Sequence, residues 1–363
     1  MLRTLTRPIP TREHPAASRW RRQAGALAAS LATLALASVA VAAVPPLPEA
    51  QRSMFFGSAE DPPAKELFGI NEEFAGRHYL AGDEWNMELF KPFIEGKGGA
   101  YVGVGSDQSY LLMTWQRPEL VFQMDYDPWV VIVHGLYHRF FLAAKDKDDL
   151  ISFWAAPSKD RVTELLTKEV SDEAKRKDML QIWKIARGNI HTRLKMLQRT
   201  MRKRNVPTFV TDDEHFQFVV ESIRAGRVRA LSANLLDKTG MLGIGEISRK
   251  MGVPVRVLYL SNAETYWPYS KEFRANIRGL HHDATGVVLR TTGSWSINKD
   301  YRYYVQRIEL FAAWLERSSL RKVHQMIRRR PLEGPEDVEI AEIKTDIREV
   351  EARRGGKRKS GGK

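Results

Sequence analysis

The chain has 363 residues, no cysteine, and 57 Lys+Arg against 44 Asp+Glu, for a formal net charge of +13. Hydrophobic residues at 43% and charged residues at 28% describe a globular chain and exclude a collagen-like, disordered or disulfide-stapled one. The missing cysteine also excludes Cys-ligated zinc, iron–sulfur clusters and a cysteine nucleophile.

A basic excess ordinarily points to nucleic acid or an anionic membrane, so its location decides its meaning. Residues 1–43 hold six arginines and one acid (+5), and residues 353–363 hold six basic residues and no acid (+6). The chain between them carries only +2. In the N-terminal segment, Arg19-Trp20-Arg21-Arg22 precedes an apolar run from Ala24 to Val44 that ends at Pro45-Pro46. A basic flank, an apolar run and small residues at Ala40-Val41-Ala42 read as a secretory signal peptide with an A-x-A cleavage site. An uncleaved inner-membrane anchor is the alternative, since a span needs roughly 20 residues. In either version the positive flank stays inside, and residues 45–363 are expected outside the cytoplasm, in the periplasm, outer membrane or extracellular space. Membrane contact would run through this segment.

The next segment, 45–84, is punctuated by Pro and Gly and reads as an irregular lead into the fold. From residue 85 to 330 the chain reads as one domain. Trp85, Leu89 and Phe93 fall at helical spacing. Ala100 to Gly105 is a short buried strand, Ser106 to Gln116 a helix, and Leu120 to Met124 a second strand ending in Asp125. Asp127-Pro128 opens a long apolar helix to about Ala144. Residues 146–225 show no convincing strand and read as a helical insertion. Strand character returns at Arg227 to Leu236, Pro254 to Ser261, Gly286 to Thr291 and Tyr301 to Arg307, with helices between. A closing helix is expected over Ile308 to Arg330. Residues 331–363 read as a charged tail, with Glu336 to Arg353 either helical or solvated. The pattern predicts the α/β class: a doubly wound, mostly parallel sheet with a helical insertion.

In such sheets ligands bind outside the carboxyl ends of the strands, where strand order reverses. The first strand ends Gly103-Val104-Gly105-Ser106-Asp107-Gln108, a turn whose glycines let backbone approach a ligand. Asp125 follows Gly105 by twenty residues and ends the second strand, placed to accept hydrogen bonds from ribose hydroxyls. Gly103, Gly105 and Asp125 together point to a nucleoside-type ligand. A plain packing role for the glycines and a capping role for Asp125 is the competing reading.

These residues resemble the first two motifs of S-adenosylmethionine-dependent methyltransferases, YVGVGSDQ (101–108) and the strand-end Asp125. Asn234-Leu235 sits where that family's adenine-contacting residue follows the third strand. Leu260-Ser261-Asn262-Ala263-Glu264 sits where its substrate-facing motif follows the fourth. The chain is also similar to the aminocarboxypropyl transferases of betaine-lipid synthesis, and most similar overall to a bacterial methyltransferase-like family known from leptospiral members. The resemblance covers about residues 84–310. It implies a Rossmann-like fold and S-adenosylmethionine as cofactor. Gly103, Gly105, Asp107, Asp125 and Asn234 would bind it, and Ser261, Asn262, Glu264 and Tyr266 would face a small-molecule or lipid acceptor. It assigns no catalytic residue. The family pattern has an acid two residues before the first glycine, where this chain has Tyr101, and a third glycine where it has Asp107. A non-catalytic envelope protein descended from that fold is the alternative function.

Other constellations carry less. His134 and His138 share a helix face, but no third ligand or HExxH accompanies them, so no metal is expected. His281-His282-Asp283 reads as a polar turn. No G-x-S-x-G or G-x-x-x-x-G-K-[ST] is present, so hydrolase and NTPase readings lack a carrier. The basic stretch Lys195 to Arg204 reads as a solvated helix face, and no specific nucleic-acid partner is expected.

Overall fold

A computed structural model describes residues 44–67 and 76–347. The predicted signal segment 1–43, its cleavage site and the basic tail over 353–363 lie outside the described residues. A seven-stranded sheet organises the rest. Its strands are β1 (Ala100–Gly103), β2 (Leu120–Asp125), β3 (Val228–Ser232), β4 (Val255–Ser261), β5 (Val287–Gly293), β6 (Tyr301–Arg307) and β7 (Ile340–Ile343), in spatial order 3-2-1-4-5-6-7. Strands β1 to β5 are parallel, and β6 runs antiparallel to β5 and parallel to β7. This is a doubly wound α/β fold of Rossmann-like type.

Twelve helices accompany the sheet among the described residues. In chain order they are α1 (Glu49–Phe56), α2 (Lys91–Ile94), α3 (Gln108–Gln116), α4 (Pro128–Ala143), α5 (Lys147–Ser152), α6 (Lys159–Glu169), α7 (Glu173–Lys203), α8 (Asp213–Arg224), α9 (Gly240–Lys250), α10 (Lys271–Gly279), α11 (Trp295–Asn298) and α12 (Ile308–Leu315). Strand alternation sorts the core into two layers. Tyr101, Val121, Val257 and Tyr259 face one layer, which holds α3, α4 and the helices α5 to α8. Ala100, Val102, Phe122, Leu258 and Leu260 face the other, which holds α9, α10 and α12. The change of layer follows from handedness. The chain winds from β1 outward to β3, then crosses back to β4 and winds the other way, and right-handed crossovers put the two sets of helices on opposite faces. The reversal falls between β1 and β4, where Gly103 lies beside Gln123 and Tyr259.

Local chemistry sets the element ends that matter. At the start of α4 the Asp127 carboxylate accepts the Trp129 N–H at 2.9 Å and Pro128 holds the first helical φ. Every residue of α3 is buried, because it lies between the sheet and the added helices. Three stretches differ from the sequence expectation. The lead segment contains α1, whose Phe55 is buried against Phe122. The closing helix ends at Leu315 rather than Arg330, and Arg274 donates to the carbonyls of Leu315, Arg317 and Leu320 beyond it. Within Glu336 to Arg353 the described part contains the strand β7. Glu339 accepts from Arg302, and its carbonyl accepts from Tyr303 N–H, which docks β7 on the sheet edge. Among the described residues no helix is long and apolar enough to cross a membrane.

Candidate functional site

A cavity of about 700 Å³ opens over the carboxyl ends of the strands at the reversal between β1 and β4. That volume falls within the range of about 300 to 1,000 Å³ usual for small-molecule sites. Of the residues singled out in the sequence, Gly105, Asp125, Asn234, Ser261, Asn262 and Tyr266 line it. They come from four different strand ends or the loops that follow, so only the sheet brings them together.

Gly105 has φ +84°, a left-handed conformation that favours glycine. Its N–H donates to Asp125 Oδ2 at 3.0 Å, and Asp127 N–H donates to Asp125 Oδ1 at 3.0 Å. Tyr126 N–H also bears on the carboxylate, so three backbone donors leave one of its four lone pairs for a further donor. Burial raises the Asp125 pKa from 3.8 to about 6, against the lowering by its backbone N–H donors; the neighbouring Asp127 charge adds to the rise. Asn234 is held by Asp61, which accepts the N–H groups of Asn234 and Thr239. The Asn234 Oδ1 accepts Leu236 N–H at 2.9 Å, so its remaining hydrogen-bonding capacity is mainly its NH2 donors.

Gly103, Asp107 and Glu264 stand elsewhere. A Cβ on Gly103 would fall 2.1 Å from the Tyr101 hydroxyl. Gly103 makes room for that buried tyrosine, whose hydroxyl donates to Ser109 at 3.3 Å. Asp107 is fully buried at the start of α3, where its carboxylate accepts from Gly82 N–H at 2.6 Å and from Arg193 Nε at 3.0 Å. Glu264 is fully buried against Arg290 at 2.7 Å and accepts from the Tyr269 hydroxyl at 2.6 Å. All three are structural supports behind the cavity wall.

The same distinction holds for the histidines. His134 bridges Gly105 C=O (2.8 Å) and the Tyr110 hydroxyl (3.1 Å), and burial lowers its pKa to about 4. It props the glycine turn from below as a neutral ring. His138 lies 2.7 Å from Gln123 Oε1, and burial lowers it to about 3. His281, His282 and Asp283 precede β5 at the opposite end of the sheet from the cavity, where Asp283 pairs with Arg256.

The lead segment supplies what sequence reasoning missed. Asp83 lines the cavity, and Tyr301 donates its hydroxyl to Asp83 Oδ2 at 2.8 Å. Burial, reinforced by the adjacent Glu84 charge, raises the Asp83 pKa from 3.8 to about 7. The cation whose field reaches Asp83 is Arg193, and Arg193 is already paired with Asp107. Glu84 is buried and accepts from Gln108 Nε2 (2.8 Å), the Tyr259 hydroxyl (2.7 Å) and the Ser261 hydroxyl (2.5 Å). This anchoring accompanies a rare conformation, since Ser261 has φ +49°. No spacing in the sequence links Asp83-Glu84 to the strand ends; the one visible signal is an acidic pair beside an aromatic at Trp85.

The cavity is therefore polarised. Its inner wall holds Asp83 and Asp125, with Glu84 behind them. Its basic lining residues, Arg77, His324 and Arg329, are exposed at the mouth. The N-terminus of α3 is filled by the protein's own groups, with Gln108 Oε1 accepting Ser106 N–H at 3.1 Å and Asp107 beside it. A phosphate finds Ser106 N–H already taken there and the Asp107 carboxylate beside it.

A family model described as Domain of unknown function (DUF7790) matches residues 79–346. The chain belongs to that family. The match begins ahead of Asp83 and ends beyond β7, so it takes in the whole sheet and the lining residues of the cavity apart from Arg77. No curated protein matches the chain.

Proposed function

We propose that the chain binds S-adenosylmethionine in this cavity and acts as a transferase of methyltransferase-like type. The observation that carries the reading is Asp125. It ends β2 beside the Gly105 turn, at the strand-order reversal, and lines a nucleoside-sized cavity. In this reading Asp125 accepts the ribose hydroxyls, the NH2 of Asn234 meets the adenine edge, and Gly105 lets the backbone approach. The Ser106 N–H already taken at the N-terminus of α3 supports a nucleoside over a nucleotide or dinucleotide. The cofactor supplies an electrophilic carbon on a sulfonium; the chain's own residues orient it and exclude water.

The test is calorimetry and thermal shift on the full chain with S-adenosylmethionine, S-adenosylhomocysteine and ADP. The first two are expected to bind and ADP is not. No heat and no shift at millimolar S-adenosylmethionine, or ADP binding as well as either, would overturn the reading.

The apolar run from Ala24 to Val44, with Ala40-Val41-Ala42 as its cleavage site, favours a second reading, an exported binding protein without transferase activity. Cell fractionation with N-terminal sequencing separates the two. Cleaved protein found wholly outside the cytoplasm, away from where the cofactor is made, favours the second.

A further inference from the structure

The part of the cavity over β4 to β6 is not needed to hold a nucleoside, and its chemistry differs. Asp83 stands there with Tyr79, Tyr266, Trp295 and Tyr301 as fellow lining residues. The Tyr301 ring meets Trp295 edge-on at 5.4 Å between centroids. Asn262 Nδ2 donates to the Tyr266 hydroxyl at 2.9 Å and lies 3.5 Å from that of Tyr301. Tyr79 and Asp83 both bear on the Tyr266 hydroxyl and help push its pKa up to about 12, after the larger effect of burial. One carboxylate thus sits with Tyr266, Trp295 and Tyr301, while the Tyr79 ring already carries the Arg77 guanidinium, 5.5 Å from its centroid.

That combination selects by charge. Aromatic faces attract cations, and a desolvated carboxylate binds an ammonium through a charge-assisted hydrogen bond. A carboxylate or phosphate acceptor would meet the charges of Asp83 and Glu84. A neutral hydroxyl would leave the cation-directed faces unused.

We propose that the acceptor is an amine, seated as its ammonium on Asp83 among Tyr266, Trp295 and Tyr301, and that Asp83 takes the proton whose loss frees the nitrogen lone pair. The step rests on the donor assigned under the proposed function. An N–H proton passes to the Asp83 carboxylate. The freed lone pair forms the N–C bond to the sulfonium carbon. The C–S bond breaks with its electron pair going to sulfur, which leaves as a neutral thioether, and the nitrogen becomes an alkylated ammonium. Asp83 then returns its proton to solvent. Its ionisation near neutrality suits a proton acceptor, and what sets it is burial first, then Glu84, Tyr301 and Arg193, from three different parts of the chain.

The experiment uses the full chain saturated with S-adenosylhomocysteine and titrated by calorimetry with phenethylamine and, separately, phenethyl alcohol, which match in size and differ in charge. The amine is expected to bind about tenfold or more tightly than the alcohol. At pH 6.5 its binding is expected to release protons, read from the dependence of the heat on buffer ionisation. Asp83→Asn is expected to abolish both the preference and the proton release while still binding S-adenosylhomocysteine. Trp295→Ala, at an exposed position, is expected to weaken the amine severalfold without loss of folding. Equal binding of the two probes, or a preference that survives Asp83→Asn, overturns the amine assignment. Failure of S-adenosylhomocysteine to bind the wild type refutes the donor assignment and, with it, this step.

Discussion

Replacing Asp83 by Asn isolates the energetic consequence of placing an uncompensated carboxylate in the cavity wall. Its pKa stands at about 7 against 3.8 in a free chain. The native state therefore binds this proton more tightly than the unfolded state does, so between those two values stability falls as pH rises, and above pH 7 the penalty is complete. At about 1.4 kcal/mol per pKa unit, the shift sets a ceiling of about 4 kcal/mol. Partial solvent access and relaxation around the Glu84 charge reduce the expected figure to about 2 kcal/mol. The Asn side chain still accepts the Tyr301 hydroxyl, so that bond is kept. Urea unfolding of wild type and Asp83→Asn should show a difference under about 1 kcal/mol at pH 5 and a variant more stable by about 2 kcal/mol at pH 8. A gain that does not change with pH, or a variant less stable at pH 8, would refute the argument that the Tyr301 hydrogen bond does not offset the cost of burying this charge. A stabilised variant is the behaviour expected of a group kept for a ligand rather than for the fold.

Asp125→Ala should weaken S-adenosylhomocysteine binding by about 2 kcal/mol, read by calorimetry, since charge-assisted hydrogen bonds to ribose are lost. Gly105→Ala should destabilise the chain by about 1 to 2 kcal/mol in urea unfolding, because φ +84° disfavours any Cβ. A Cβ there would also stand 3.2 Å from Gln108 Oε1. Arg193→Met should cost about 3 to 5 kcal/mol by leaving Asp107 buried and unpaired, and the double variant with Asp107→Leu should recover much of that loss.

The sheet was legible because parallel strands buried on both faces write themselves as short apolar runs. AYVG, LVFQMD and VRVLYLS are such runs, each followed by a helix with its own start signal. β7 was not legible. Its four residues lie in a charged stretch, and what holds them is the pair Arg302–Glu339, whose members are far apart in sequence. Glycine spacing alone could not tell Gly105, which faces the cavity, from Gly103, which clears space for Tyr101. The same limit applies to Glu264. A carboxylate in a substrate-facing motif looks available in sequence, and only packing shows Arg290 against it.

Composition and periodicity by themselves determined the α/β class and the place of the charge. The excess of +13 belongs almost wholly to the two ends, and it leaves the folded part nearly neutral. These properties are local, and a chain records local properties in order along its length. Tertiary structure alone decided the character of the site. It folded the lead segment back over the strand ends, where desolvation turned Asp83 into a carboxylate that titrates near neutrality and surrounded it with aromatic rings from distant elements. Electric field and desolvation depend on what lies nearby in space, and that is set only when the sheet is assembled.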